Sequence, residues 1–198
     1  MEIGFSTFMN ITKDLRSTRF FPHWKINCGK QVTGFIQLMQ HIYKLNSSNN
    51  RVYVELGCNL GESALMAGSF DFISEIYCVD IFDRKDQLSI CQQRLSHLRK
   101  KVTFLQNYSN KAHVFFDDNS IDVLYIDADH TYEYVKDDLE YWYPKVKDGG
   151  FICGHDYNHK NFPGVTKSVH EFVELNAVKI NKSFCDRSFL IINTKDFA

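Results

Sequence analysis

The sequence predicts an α/β fold built on a mainly parallel sheet, and three observations predict it. Short runs rich in Val, Ile, Leu, Phe and Tyr recur along the chain, segments of helical periodicity separate them, and the two alternate from residue 52 onward. At 198 residues with 44% apolar positions, the chain can bury roughly two-thirds of its unfolded surface as one domain.

Taken in order, the segment 32–43 sets Val32, Phe35, Ile36, Met39, Ile42 and Tyr43 on one helical face, and the Asn/Ser cluster 46–50 ends it. Strands are expected over 52–56, 75–79, 102–105, 121–126 and 151–154, all reading as buried on both faces. Between them lie helices over 62–69, over 87–99 with Leu88, Cys91, Leu95 and Leu98, and over 131–143 with Val135, Leu139 and Trp142, closed by Pro144. A further helix is expected over 164–175, with Val165, Val169, Phe172 and Val173 inward, followed by strands over 177–180 and 188–192. Right-handed crossovers then place helices on both faces, and a ligand belongs at the carboxyl ends of the strands, where the strand order reverses.

The charge balance, 23 Lys and Arg against 24 Asp and Glu for a net of −1, lacks the basic surplus of a dedicated nucleic-acid binder. No apolar run approaches the about 18 residues of a membrane span. Residues 1–25 scatter Glu2, Lys13, Asp14, Arg16 and Arg19 among apolar positions, so neither a signal peptide nor an anchor is expected. The six cysteines form no C-x-x-C pair and read as small apolar fillers, Cys78 and Cys153 within buried strands; a reducing cytoplasm fits them.

The stretch VELGCNLGES, 54–63, runs from a buried strand through Glu55, Gly57 and Gly61 into a helix. Gly57 can take the strained turn leaving the strand and Gly61 can open the helix, neither presenting a Cβ to a bound group, so a nucleotide-like ligand is implied. The dinucleotide pattern G-x-G-x-x-G is absent, because Asn59 holds the middle place. The acid two before the first glycine and the second glycine four after it instead resemble motif I of class I S-adenosylmethionine-dependent methyltransferases. Asp80, 25 residues beyond Glu55 at the next strand end, can accept both hydroxyls of a ribose. The resemblance places adenine near Asn107, Tyr108 and Ser109, with Tyr108 where an acidic residue is usual.

The stretches 121–157 and FPGVTKSVHEF, 162–172, are similar to the small-molecule O-methyltransferases that include macrocin O-methyltransferase. That resemblance implies a Rossmann-like class I methyltransferase fold with a seven-stranded, mainly parallel sheet and an antiparallel C-terminal strand. It implies S-adenosylmethionine as cofactor, held by Glu55, Gly57, Asn59, Gly61, Asp80, Tyr108, Ser109 and Asp127, and a hydroxyl of a small molecule or sugar as acceptor. It divides the single domain 1–198 into an N-terminal helical or lid segment, 1–50, and a cofactor-binding core, 51–198. Within the first, the aromatic-rich RFFPHWK, 19–25, reads as a lid or as core packing.

A hydroxyl is a poor nucleophile at neutral pH, so a cation or a base is required beside it. The candidate side chains are Asp127, His130 and His155. Matching the family's motifs assigns metal ligands to Asp127 and to an acidic pair after the turn at Gly149 and Gly150, a pair that here is His155 and Asp156. Two readings follow: Asp127 and Asp156 hold Mg²⁺ with the His155 imidazole beside it, or the metal is lost and His155 or His130 acts as base. Asp129 reads as the cap of the helix after it, and the spacing of His155 and His159 does not make a zinc site. A catalytically silent binding module and a nicotinamide-dependent oxidoreductase are the alternatives, the second opposed by the glycine pattern. The oligomeric state is open.

Overall fold

The computed structural model describes residues 28–194. The segment 19–25 with His23, and the acidic and basic residues of 1–25, lie outside them. The chain runs α1 (Cys28–Leu45), β1 (Arg51–Leu56), α2 (Glu62–Gly68), β2 (Ile73–Asp80), α3 (Gln87–Leu95), β3 (Lys101–Gln106), α4 (Ser109–Ala112), β4 (Ile121–Ile126), α5 (Tyr132–Trp142), β5 (Val146–Gly154), α6 (Pro163–Leu175), β6 (Ile180–Ser183) and β7 (Phe189–Ile192). The seven strands form one sheet in the order β3-β2-β1-β4-β5-β7-β6. Pairs from β3 to β5 are parallel, and β7 runs antiparallel to both β5 and β6. The order reverses between β1 and β4, which opens the crevice expected of a doubly wound sheet.

Strand periodicity sorts side chains between two apolar layers. Tyr53 of β1 and Val123 and Tyr125 of β4 face α1, α2 and α3, where Phe35, Met39, Ile42 and Cys91 pack. Val54 and Leu56, with Leu124 and Ile126, face Val135, Leu139 and Trp142 of α5 and Val165, Val169 and Phe172 of α6. Arg51 fastens the turn before β1: its Nη2 donates to the Asn46 carbonyl at 2.6 Å, and its guanidinium lies over the rings of Phe72 and Phe151.

Two expectations need correction. The helix expected over 87–99 stops at Leu95, because Ser96 Oγ donates to the Gln93 carbonyl at 2.7 Å and the chain turns, although Leu98 still packs on the core. The strand expected over 177–180 lies at Ile180–Ser183, since Ala177 takes φ 52° in the turn leaving α6. The one-turn helix α4 and the 3₁₀ turn after it are too short to show a period, and the sequence gives no sign of them.

Candidate active site

A cavity of ≈720 Å³ opens over the carboxyl ends of β1, β2 and β4. One end is bordered by residues 57–59, by Asp80 and by residues 107–109; the other by Asp127, His130, His155 and Asp156. Asn59, Tyr108, Ser109, Asp129 and Phe162 also line it. Glu55 and Gly61 are not among the residues that border it.

Glu55 shares a strand face with Tyr53 and so points beneath the helices. It is fully buried, accepting hydrogen bonds from Tyr53 Oη at 2.8 Å and from Ser63 Oγ. Burial pushes its pKa up to about 8 against the two hydrogen bonds, so the carboxyl is neutral at pH 7. It ties α2 to β1 from behind the glycine loop. The glycines also answer to the protein more than to a ligand. Gly57 sits at φ 81°, and a Cβ there would lie 2.2 Å from the Asp127 carbonyl oxygen. Gly61, at φ 83°, leaves room for Cys91 Sγ, which a Cβ would approach to 2.8 Å.

Asp80 closes β2 and joins two loops. Its Oδ2 accepts from the Asn59 N–H and its Oδ1 from the Phe82 N–H, each at 2.8 Å. Both donors belong to non-glycine residues in left-handed conformation, at φ 48° and 46°. The carboxylate thus helps hold two strained turns around the cavity. Gln87, 2% exposed, adds a bond from Nε2 to Asn59 Oδ1 at 3.2 Å, and Arg84 Nη2 donates to the same oxygen at 2.8 Å. Neither Arg84 nor Gln87 carries a motif signature, so sequence reasoning missed both. Tyr108 stands half exposed at the cavity mouth, while Ser109 gives its carbonyl to Trp142 Nε1 at 3.0 Å.

At the other end, β4 delivers Asp127, the following turn delivers His130, and β5 delivers His155 and Asp156. Asp156, held at φ 57°, aims its Oδ2 at His130 Nε2, 2.9 Å away, and at His155 Nδ1, 3.3 Å away. Asp127 Oδ1 lies 3.3 Å from His130 Nε2 and 3.9 Å from His155 Nδ1. Hydrogen bonds to Asp127 and Asp156 push His130 up to about 10. Burial opposes charge on His155, but Asp156 and Asp127 prevail and raise it to about 9. The imidazolium neighbours in turn hold the Asp156 carboxyl well below the usual carboxylate range, against its burial.

Both imidazoles are therefore charged at neutral pH, and a protonated imidazole cannot take a proton. The atoms of Asp127, His130 and Asp156 that could ligate all lie within 4.8 Å of one another. Two carboxylates and an imidazole at that spacing suit a divalent cation, whose binding would need the His130 imidazole to give up its proton. The imidazole expected beside such a cation was that of His155; the group that could hold one includes His130 instead.

The remaining parts are supporting ones. Asp129 accepts from the Thr131 N–H at 2.7 Å in the turn ahead of α5, but the cap position of that helix is Thr131, which corrects the expectation that Asp129 is the cap. His159 turns to the Asn161 N–H and stacks on Phe162, which stacks on His130 with 4.4 Å between ring centroids. Asp186, in the β6–β7 turn, reaches the cavity from the far side and bonds Ser188 through both oxygens. A Cβ at Gly34 of α1 would fall 2.2 Å from Asp186 Cγ, so that glycine seats α1 against the site. The separation of Gly34 and Asp186 in the chain hid this contact from the sequence.

Comparison with known proteins bears on the family and the fold. Residues 54–157 match the family described as "Methyltransferase domain". An uncharacterized protein of Acanthamoeba polyphaga mimivirus is 26% identical over 144 residues, 69% of this chain, and one of Sinorhizobium fredii is 30% identical over 120 residues, 54% of this chain. The chain spans 65% of the first relative's length and 13% of the second's. Among solved structures, a TDP-rhamnose 3′-O-methyltransferase of calicheamicin biosynthesis superposes with TM-score 0.63 at 13% identity, over 97% of this chain and 95% of its own. A Staphylococcus aureus protein taken to be a caffeoyl-CoA O-methyltransferase gives TM-score 0.63 at 13% identity, over 95% and 99%. An rRNA methylase of Streptococcus thermophilus gives 0.57 at 13%, over 78% and 92%. At these identities the structures share the fold.

Proposed function

This chain belongs to the methyltransferase-domain family, and from that premise we propose that it moves the methyl group of S-adenosylmethionine to a hydroxyl of a small molecule or sugar, with Mg²⁺ assisting. The observation that carries the reading is one continuous cavity with the glycine loop and Asp80 at one end and Asp127, His130 and Asp156 at the other. A volume of ≈720 Å³ suits a nucleoside-sized donor with a compact acceptor beyond it.

S-adenosylmethionine supplies a methyl already activated on a sulfonium, so the chain's task is alignment and exclusion of water. Asp80 keeps lone pairs beyond the two it gives to backbone N–H groups, and these accept the ribose hydroxyls. Tyr108 and residues 57–59 line the cavity, where Tyr108 would offer its ring face to adenine and residues 57–59 would hold the methionine portion. Asp127, His130 and Asp156 hold the cation, the imidazole nitrogen making Mn²⁺ as acceptable as Mg²⁺. Held there, a cation would supply Lewis-acid chemistry, lowering the pKa of the acceptor hydroxyl. Transfer would break the methyl–sulfur bond, leave its electron pair on sulfur and form the carbon–oxygen bond, with the hydroxyl proton leaving to water.

A module that binds cofactor without transferring methyl is the second reading, favoured by the charged His130 and His155, which offer no base. Calorimetric titration with S-adenosylmethionine and with its demethylated product, then methyl transfer to a panel of hydroxyl compounds with and without Mg²⁺, tests both. No binding by folded protein rejects the cofactor. Binding without transfer to any acceptor favours the silent module.

A further inference from the structure

Beneath the glycine loop three cysteines meet from three separate elements. Cys58 follows Gly57 in the loop after β1 and borders the cavity, Cys78 lies in β2, and Cys91 lies on the inner face of α3. Each is at most 1% exposed, all three are free thiols, and their sulfurs lie within 4.8 Å of one another. Small apolar filling alone does not ask for three polarisable sulfurs in mutual contact. Gly61 strengthens the point, because its left-handed backbone leaves Cys91 Sγ the space a Cβ would take.

We propose that Cys58, Cys78 and Cys91 form a three-sulfur site for a thiophilic divalent cation of the zinc and cadmium class, fastening the glycine loop to β2 and α3. Metal–sulfur bonds of about 2.3 Å hold three ligand sulfurs roughly 4 Å apart, so the thiols close on a cation with movements of less than about 1 Å. Binding replaces three S–H bonds by three metal–sulfur bonds and releases three protons to solvent. Three thiolates and one divalent cation leave a single negative charge in the interior. Arg94, one turn beyond Cys91 on α3, faces that charge; it also pairs with Glu62 at 2.5 Å and donates to the Leu60 carbonyl. Cys58, at the cavity wall, is the way in. The site is independent of the Asp127 cluster, whose oxygen and nitrogen donors give a cation no sulfur signature.

The test uses the full chain kept reduced and titrated with Cd²⁺ and, separately, Co²⁺. The expected result is an ultraviolet sulfur-to-metal charge-transfer band saturating at one equivalent, and a cadmium NMR resonance in the sulfur-ligated range. Cys91→Ser weakens cadmium binding at least tenfold, whereas Cys185→Ser, altering an exposed cysteine elsewhere, leaves it unchanged. No charge-transfer band at saturating metal, or a band that survives Cys91→Ser and Cys78→Ser, overturns the proposal. Should the serine variants not fold, the cadmium resonance of the unaltered chain decides: a position typical of oxygen and nitrogen ligands refutes it.

Discussion

Replacing Glu55 by Gln isolates the charge state of the carboxyl buried behind the glycine loop. In the folded chain burial lifts this group from 4.5 to about 8, so it stays neutral where the unfolded chain ionises. A carboxyl raised in this way contributes its full stability below the unfolded value and loses it as the pH climbs toward the folded one. Each pH unit across that window is worth about 1.4 kcal/mol. Between about pH 5 and about pH 7.5 the parent therefore loses about 3 kcal/mol relative to Glu55→Gln, whose amide does not titrate. Every other titrating group is common to both proteins and cancels in the difference. The amide also replaces the neutral carboxyl well, since it can donate to one of Tyr53 Oη and Ser63 Oγ while accepting from the other. The assay is urea unfolding of both proteins at the two pH values. A stability difference that does not change with pH, or that moves against Gln as the pH rises, would mean Glu55 is ionised in the folded chain and would refute the reasoning.

Other outcomes follow from the same geometry. Asp80→Ala weakens S-adenosylmethionine by about 1–3 kcal/mol in calorimetry, through the lost ribose acceptor and the released Asn59 and Phe82 backbone, whereas an unchanged affinity removes Asp80 from the cofactor site. Gly57→Ala costs on the order of 3 kcal/mol or more in thermal unfolding, since its Cβ meets Asp127 backbone; Gly149→Ala, at φ 70° with nothing within 4 Å, costs only about 1–2 kcal/mol of backbone strain. In metal-free protein an NMR titration finds His130 ionising at about 10, and Asp156→Asn lowers that value. A raised imidazole stabilises the fold fully below 6.5, and that stability is lost as the pH rises toward about 10, so the Asp156→Asn deficit shrinks between those two values. Saturating Mg²⁺ brings the His130 titration down by displacing its proton, and an unmoved titration excludes His130 as a ligand.

Much of this protein was legible in its sequence because the informative signals are local. Strand and helix periods depend on neighbours a few residues apart, and they placed β1, β4, α2 and α6 within a residue or two of where they lie. The strand-end positions of Asp80, Asp127 and Asp156 were equally readable, since a parallel sheet sends every such carboxylate to one edge. Tertiary structure alone decided which face each residue meets and which distant residues touch. Strand alternation sent Glu55 inward to Ser63 instead of into the cleft, and the packing of α3 on β2 brought Cys91 to Cys58 and Cys78. Asp156 reaches both His130 and His155 because a left-handed backbone turns it, and Asp186 meets Gly34 across most of the chain. The physical reason is that periodicity fixes the direction of a side chain relative to its own backbone. What lies in that direction is set by strand order, helix docking and non-local contact, none of which leaves a mark in neighbouring residues.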